Sequence, residues 1–243
     1  YQFQSYGFLA KQRIKMPTKN VELITGLDID YSPSTYKEVR LSTTKSGDIY
    51  TDTTPTGRIN YDYEADQLSV SPYMQTEWLT ENNIRLSAGL RYDYFKVEYK
   101  DLLDSSVSET IGWTKHYRPD SQDISYNHLS PKLGLVYDYS SNNIFYVNYR
   151  RSFRVPSIGQ LFRSGSTTNT VDLKPVKTDS YEIGSRGQLF GWLNYDSAIY
   201  HMKIEDDIVT YIDSNTRKTT HAGETEHQLI ELELSSKITN ELN

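Results

Sequence analysis

Residues 129–139 alternate without interruption. Leu129, Pro131, Leu133, Leu135, Tyr137 and Tyr139 fall on one side of an extended chain, and Ser130, Lys132, Gly134, Val136 and Asp138 fall on the other. A polar turn sequence at 140–143 follows, and a second alternating run fills 144–150. This pattern predicts two strands folded around a tight turn. The same period of two recurs at 21–31, 68–78 and 84–94, and again over 180–190, 193–202 and 229–238. Helical periodicity is nearly absent, so the chain is predicted to be all-β. The first run, 2–15, is less regular and its facing stays open.

The connections alternate as well. Short ones fall at 16–20, 80–83, 140–143, 190–192 and 239–242, and long polar ones at about 33–64, 100–125, 153–177 and 205–227. In an up-and-down antiparallel array, that order puts every tight turn on one rim and every long loop on the other. Loops beyond roughly 12–15 residues are uncommon in compact soluble domains. Short turns on one side and long loops on the other are the pattern of outer-membrane β-barrels. Nine crossing strands of about 10 residues suit tilted passage through a bilayer. In lipid the apolar face points outward, and lysine and aspartate belong in the lumen.

A soluble β-sandwich shows the same alternation with its faces reversed, so alternation alone leaves both architectures open. Loop asymmetry and aromatic placement favour the barrel. Trp78, Tyr137 and Tyr139 stand on the apolar face beside short turns, and Tyr31, Tyr92 and Tyr94 stand on it beside long loops, as two interfacial girdles would. Lipid offers no partner to an open sheet edge, so nine strands imply a larger closed wall. Residues 1–243 are therefore expected to be part of such a wall.

Composition narrows the functional classes. The 243 residues carry a net charge of −6 and no cysteine, which removes a disulfide framework and thiolate metal sites. The acidity argues against a nucleic-acid partner, which favours a basic stripe. No apolar run approaches the roughly 20 residues of a spanning helix. A mean hydropathy of −0.67 is compatible with a barrel, where only alternate strand residues meet lipid. No G-x-S-x-G, H-E-x-x-H or glycine-rich phosphate loop occurs, so no catalytic residue and no cofactor is assigned, and an enzyme is not expected. His221 with His227, and Glu205-Asp206-Asp207 with Asp213, are of the residue types that ligate cations; solvated loops account for both sets, and no metal site is assigned.

Four segments, in order, resemble the TonB-dependent outer-membrane receptors. They are "LSAGLRYDYF" at 86–95, "LSPKLGLVYDYSSNNIFYVNYRRSFRVPSIGQLF" at 129–162, "LKPVKTDSYEIGSR" at 173–186, and "LNYDSAIYHMKIEDDIV" with "HAGETEHQLIELEL" over 193–234. Two departures are Val176, where that family usually has glutamate, and Leu229-Ile230, where it has Gly-Val. Together the segments cover roughly 65 to 238. The resemblance implies a place in a 22-stranded barrel of the Gram-negative outer membrane. It also implies a plug domain and a TonB box elsewhere in the receptor, absent from this chain, and a scarce solute, a ferric siderophore by family habit, imported with TonB-coupled energy. The partners so implied are outer-membrane lipid, the TonB complex and the solute. A porin-like channel and a soluble carbohydrate-binding or adhesion module remain as alternatives.

Candidate residues follow from position. Arg85, Arg91, Asp93, Lys132, Asp138, Glu182 and Arg186 are expected to face the lumen. Arg150, Arg151 and Arg154 crowd where a strand leaves the membrane. Alternation sends Arg150 and Arg154 inward and Arg151 outward, so the inward pair is expected to attract an anionic ligand. Tyr50, Tyr61, Tyr63, Trp113, Tyr117 and Phe162 are loop aromatics with stacking surface and are candidate ligand contacts.

Overall fold

The computed structural model describes residues 1–16, 20–104, 110–111, 114–115, 117–163, 165, 167, 170–214 and 216–236. Its strands are β1 (Gln2–Phe3), β2 (Tyr6–Met16), β3 (Val21–Ser32), β4 (Ser34–Ser46), β5 (Ile49–Leu79), β6 (Ile84–Asp101), β7 (Thr110–Ile111), β8 (Thr114–Lys115), β9 (Gln122–Ser140), β10 (Asn143–Arg154), β11 (Val176–Leu189), β12 (Leu193–Asp213) and β13 (Thr216–Ser236). One short helix, α1 (Ile158–Phe162), and a 3₁₀ turn (Thr170–Asp172) lie between β10 and β11.

Antiparallel ladders join β2 to β3, β3 to β5, and then β5, β6, β9, β10, β11, β12 and β13 in turn. β4 continues β3 beyond Pro33 and pairs the upper part of β5, while β1 runs beside β4. Nine passes of chain thus build one up-and-down sheet, and β7 pairs β8 in a separate ribbon. Among the described residues the sheet does not close: β2 pairs only β3, and β13 pairs only β12.

Register fixes the faces. Trp78 lies opposite Leu86, Leu86 opposite Leu135, Ala88 opposite Leu133, and Ile183 opposite Ile199, so the apolar sets of successive strands merge into one band. Leu133 is 56% exposed and Ile199 58%, values that suit hydrocarbon contact and not a sandwich interior. On β3, β5, β6 and β9 the band covers 21–31, 68–78, 84–94 and 129–139. Each run is about 11 residues, which at roughly 3.3 Å per residue and a 45° tilt rises about 25 Å. The irregular first run joins the same face through Tyr6, Phe8 and Ile14, opposite Tyr31, Ile29 and Leu23.

Above the band the same face becomes charged. Lys37 pairs with Asp62 at 2.7 Å, Lys96 with Asp123 at 2.9 Å, Arg151 with Asp179 at 2.7 Å and Lys203 with Glu224 at 2.9 Å. Paired charges there mark where hydrocarbon gives way to water.

Tight turns hold the other rim. At 190–191 both Phe190 (φ 55°) and Gly191 (φ 75°) are left-handed, and Trp192 N–H donates to the Leu189 carbonyl at 3.2 Å. That is the primed turn whose twist matches a right-twisted hairpin.

Two sequence expectations need correction. Residues 33–64 and 205–227 are not loops: β4 and β5 pair up to Ser46–Ile49, and β12 and β13 pair up to Asp213–Thr216. Their polar, threonine-rich sequence suits exposed strands with high β propensity, and each segment finds its partner in its own other half. The turn at 239–242 and most of that at 16–20 lie outside the described residues.

Candidate functional site

On the face opposite Leu133, the strands carry a polar wall below and an apolar socket above. In the wall, Arg91 contacts Asp28 at 2.5 Å and Asp93 at 2.7 Å, drawing β3 and β6 together across β5. Arg85 pairs with Asp138 at 3.6 Å. Glu182 accepts from Asn148 Nδ2 at 3.4 Å, and the Arg186 guanidinium lies 5.3 Å from the centre of the Tyr146 ring. Lys132 lies along Gly89, where an added Cβ would meet its Cε at 2.4 Å, and donates to Gln75 Oε1 at 2.5 Å. All seven residues therefore share one polar surface.

Higher up, that same face becomes a core. Tyr61, Tyr63, Ala65, Val97, Tyr99 and Ile124 enclose Leu161 and Phe162 of α1, with Leu173, Val176 and Ile208 alongside. Phe162 stacks on Tyr99 with ring centroids 4.0 Å apart, and Tyr63 packs on Tyr99 and on Tyr36 at 5.3 Å each. A capping box starts α1: Gln160 N–H donates to Ser157 Oγ at 3.2 Å, and Ser157 N–H donates to Gln160 Oε1 at 2.9 Å. Tyr126 OH donates to the Leu173 carbonyl at 2.8 Å, and Lys174 N–H donates to His221 Nε2 at 3.1 Å. The segment between β10 and β11 is thus folded onto the inner face of the sheet. Burial pushes the Tyr61 phenol up to about 12 and also raises Tyr63 and Tyr99.

The aromatic candidates separate in this geometry. Phe162, expected to meet ligand, is only 1% exposed, because the capped helix turns it into the socket; Tyr61 and Tyr63 are likewise buried strand residues and not loop contacts. Tyr50 is exposed near the tip of the β4–β5 hairpin, with Lys45 Nζ 4.8 Å from its ring centre. Tyr117 is half-buried, and its N–H donates to the Gly165 carbonyl at 2.7 Å. Trp113 lies outside the described residues.

The arginine cluster is also less bare than its sequence suggests. Arg151 lies on the outer face and forms a two-pronged contact with Asp179, at 3.0 and 2.7 Å. Arg154, on the inner face, sits 3.7 Å from Asp207. Carboxylates from β11 and β12 thus relieve two of the three charges, and among the described residues only Arg150 of the three has no acidic partner. The acidic candidates at 205–213 face cations: Glu205 meets Lys203, Asp207 meets Arg154 and Asp213 meets Lys218.

The family profile described as "TonB dependent receptor-like, beta-barrel" matches residues 3–242. The chain belongs to that family. Its members are outer-membrane β-barrels of Gram-negative bacteria, and they are transporters. Solved structures agree on the fold. The copper transporter OprC superposes with a TM-score of 0.75 at 19% identity, over 98% of this chain and 36% of its own. The ferric citrate transporter FecA, unliganded, gives 0.67 at 17% identity over 99% and 33%. The ferric-catecholate import receptor Fiu from E. coli K12 gives 0.65 at 19% identity over 98% and 36%. The chain thus spans about a third of the length of each. A soluble sandwich is set aside by the exposed band, and a general porin by the family.

The socket could have been found from sequence. Tyr61, Tyr63 and Ala65 alternate, as do Val97 and Tyr99, and Ser157-x-x-Gln160 before Leu161-Phe162 is a helix-start signature.

Proposed function

We propose that this chain is a stretch of the wall of a TonB-dependent outer-membrane receptor that captures a ferric siderophore and imports it with energy relayed by the TonB complex. The proposal treats the nine passes as part of a closed barrel whose remaining strands, lumen-filling domain and TonB contact lie in the rest of the receptor. The observation that carries it is the inversion of the sheet's faces, with an apolar band about 25 Å tall outside and a charged wall within. Fiu and FecA, whose names specify ferric-catecholate import and ferric citrate transport, make an iron chelate the favoured solute class.

In this reading Arg85, Arg91, Asp93, Lys132, Asp138, Glu182 and Arg186 line the lumen. Arg150, Arg154, Tyr117 and Tyr50 belong to the path a ligand meets from outside, with Trp113 as a further contact. Phe162 holds α1 in place and does not touch the ligand. The chain supplies no catalysis.

Deletion of the intact gene tests the proposal in iron-limited medium with a panel of ferric siderophores as sole iron source. Loss of growth on one member, restored by the intact gene, is the expected result. Unchanged growth and unchanged radio-iron uptake on the whole panel would sink it.

A further inference from the structure

Lys132 on β9 and Arg150 on β10 are direct register partners on the inner face. Side chains opposed in this way stand about 5 Å apart at Cβ, and like charges so placed destabilise the pair. The surrounding arginines are managed differently: Arg85, Arg91 and Arg154 each meet a carboxylate. Among the described residues neither Lys132 nor Arg150 has an ion-pair partner. The contact shown for Lys132 is to the neutral amide of Gln75, reached by leaning over Gly89 and away from Arg150. Ser180 stands opposite Arg150, and Glu182, the diagonal neighbour opposite Asn148, accepts from Asn148 at 3.4 Å.

The two cations also separate two clefts. One, of about 480 Å³, is bounded by Asn148, Ser180 and Tyr200 and by Glu182 and Glu231; the other, of about 330 Å³, by Gln75, Arg91, Ser130 and Asp28; Lys132 and Arg150 line both. The space beside the two cations is therefore open, with Asn148 and Ser180 on one side and Gln75 and Ser130 on the other, set among apolar side chains and the carboxylates of Glu182, Glu231 and Asp28.

We propose that Lys132 and Arg150 form a binding site for an oxyanion, a carboxylate or phosphate group, on the inner wall. Arg150 offers a planar fork of N–H donors and Lys132 a mobile ammonium, so one group of two or three oxygens can bridge them. The bridge replaces a repulsion across the β9–β10 ladder with two attractions. The site's place in transport rests on the receptor reading above: an anionic chelate that has passed the rim arginine Arg154 meets a second positive station deeper in the wall.

The test uses the intact receptor purified in detergent, with inorganic phosphate and citrate as probes in calorimetric titrations, and thermal melting in parallel. A probe is expected to bind, Lys132→Gln and Arg150→Gln each to weaken it at least tenfold, and Lys37→Gln, on the outer face, to leave it unchanged. If a carboxylate of another receptor segment already fills the site, the probes do not bind and both Gln variants melt below wild type. Either pattern supports the site and identifies the source of its anion. Without an anion, removing one of two opposed charges stabilises the ladder. No probe binding together with unchanged or raised melting in both variants overturns the proposal, and so does probe binding that neither variant weakens. A receptor that binds phosphate through this pair yet supports no growth on any siderophore overturns the transport reading and leaves the site standing.

Discussion

The membrane wall and the cap above it are made from the same strands, and they keep their shape by opposite means. In the wall the apolar side chains point away from the polypeptide: Leu133 and Ile199 are more than half exposed, and the ladders of hydrogen bonds hold the sheet. In the cap the apolar side chains point at one another, and Tyr63, Ala65, Val97 and Phe162 have nearly no exposed surface. The chain does not change phase between the two. Tyr73 and Tyr63 lie on the same face of β5, one against the charged wall and the other in the socket. What changes is the solvent on the outer side, and with it the side that has to be greasy.

Cavity formation gives the largest effect separating the two regions. Phe162→Ala in the intact receptor should cost the cap about 3–5 kcal/mol, as emptying an aromatic site does. Amide exchange of α1 should accelerate strongly, while amides of β9 and β10 below Tyr149 keep their protection. Equal loosening of both would show that cap and wall are one cooperative unit.

Placing a charge in the wall comes next. Leu133→Lys should reduce folding stability in bilayers by about 2–4 kcal/mol, the cost of a cation near the midplane of the lipid face. Asn148→Lys, on the other face of the adjacent strand, should change it by about 0.5 kcal/mol. A larger cost for Asn148→Lys than for Leu133→Lys, measured by denaturant titration in vesicles, would mean that the faces are assigned the wrong way round.

A smaller effect belongs to the helix start. Ser157→Ala removes the acceptor for Gln160 N–H and should weaken the cap by about 1 kcal/mol. Limited proteolysis on whole cells should then cut between 155 and 175 more readily, with the 80–83 turn still spared. Unchanged cutting would place the strength of the segment in the socket alone.

The finest distinction is one of titration. Tyr61 has its phenol pushed up to about 12 from an ordinary 10. A raised folded-state value means that its stabilising share is complete below pH 10 and is lost as pH rises through 12. Absorbance at 295 nm should show Tyr61→Phe with a smaller late step near pH 12 than wild type, the remainder coming from other buried phenols such as Tyr126. A missing step nearer pH 10 would mean that the cap admits water freely.

The wall was legible in sequence because its rule is local. A period of two against lipid needs no knowledge of distant residues, so 84–94 and 129–139 could be placed from their own letters. The cap was misread because the same alternation continues in a segment whose other residues are polar: Tyr61 and Tyr63 look like isolated loop aromatics until β6, β9 and α1 arrive beside them. Asp179 and Asp207 were invisible as partners of Arg151 and Arg154 for a related reason. Each lies far along the chain, and only the lateral order of β10, β11 and β12 brings it close. The opposition of Lys132 and Arg150 required the same information.

One irregularity high on the sheet reaches further than its size. In the β12–β13 ladder, Glu205 faces Glu224 and Ile208 faces His221, with shifts on both sides of Asp207. Asp206 (φ 56°) and Gly223 (φ 88°) adopt left-handed backbone there, a conformation glycine takes at no cost. The shifts cancel, so the ladder above resumes the count kept below. The hairpin tip can then gain or lose opposed residue pairs without disturbing the alignment of the strands in the membrane. Such a joint uncouples the geometry of the exposed hairpin tip from that of the wall beneath it.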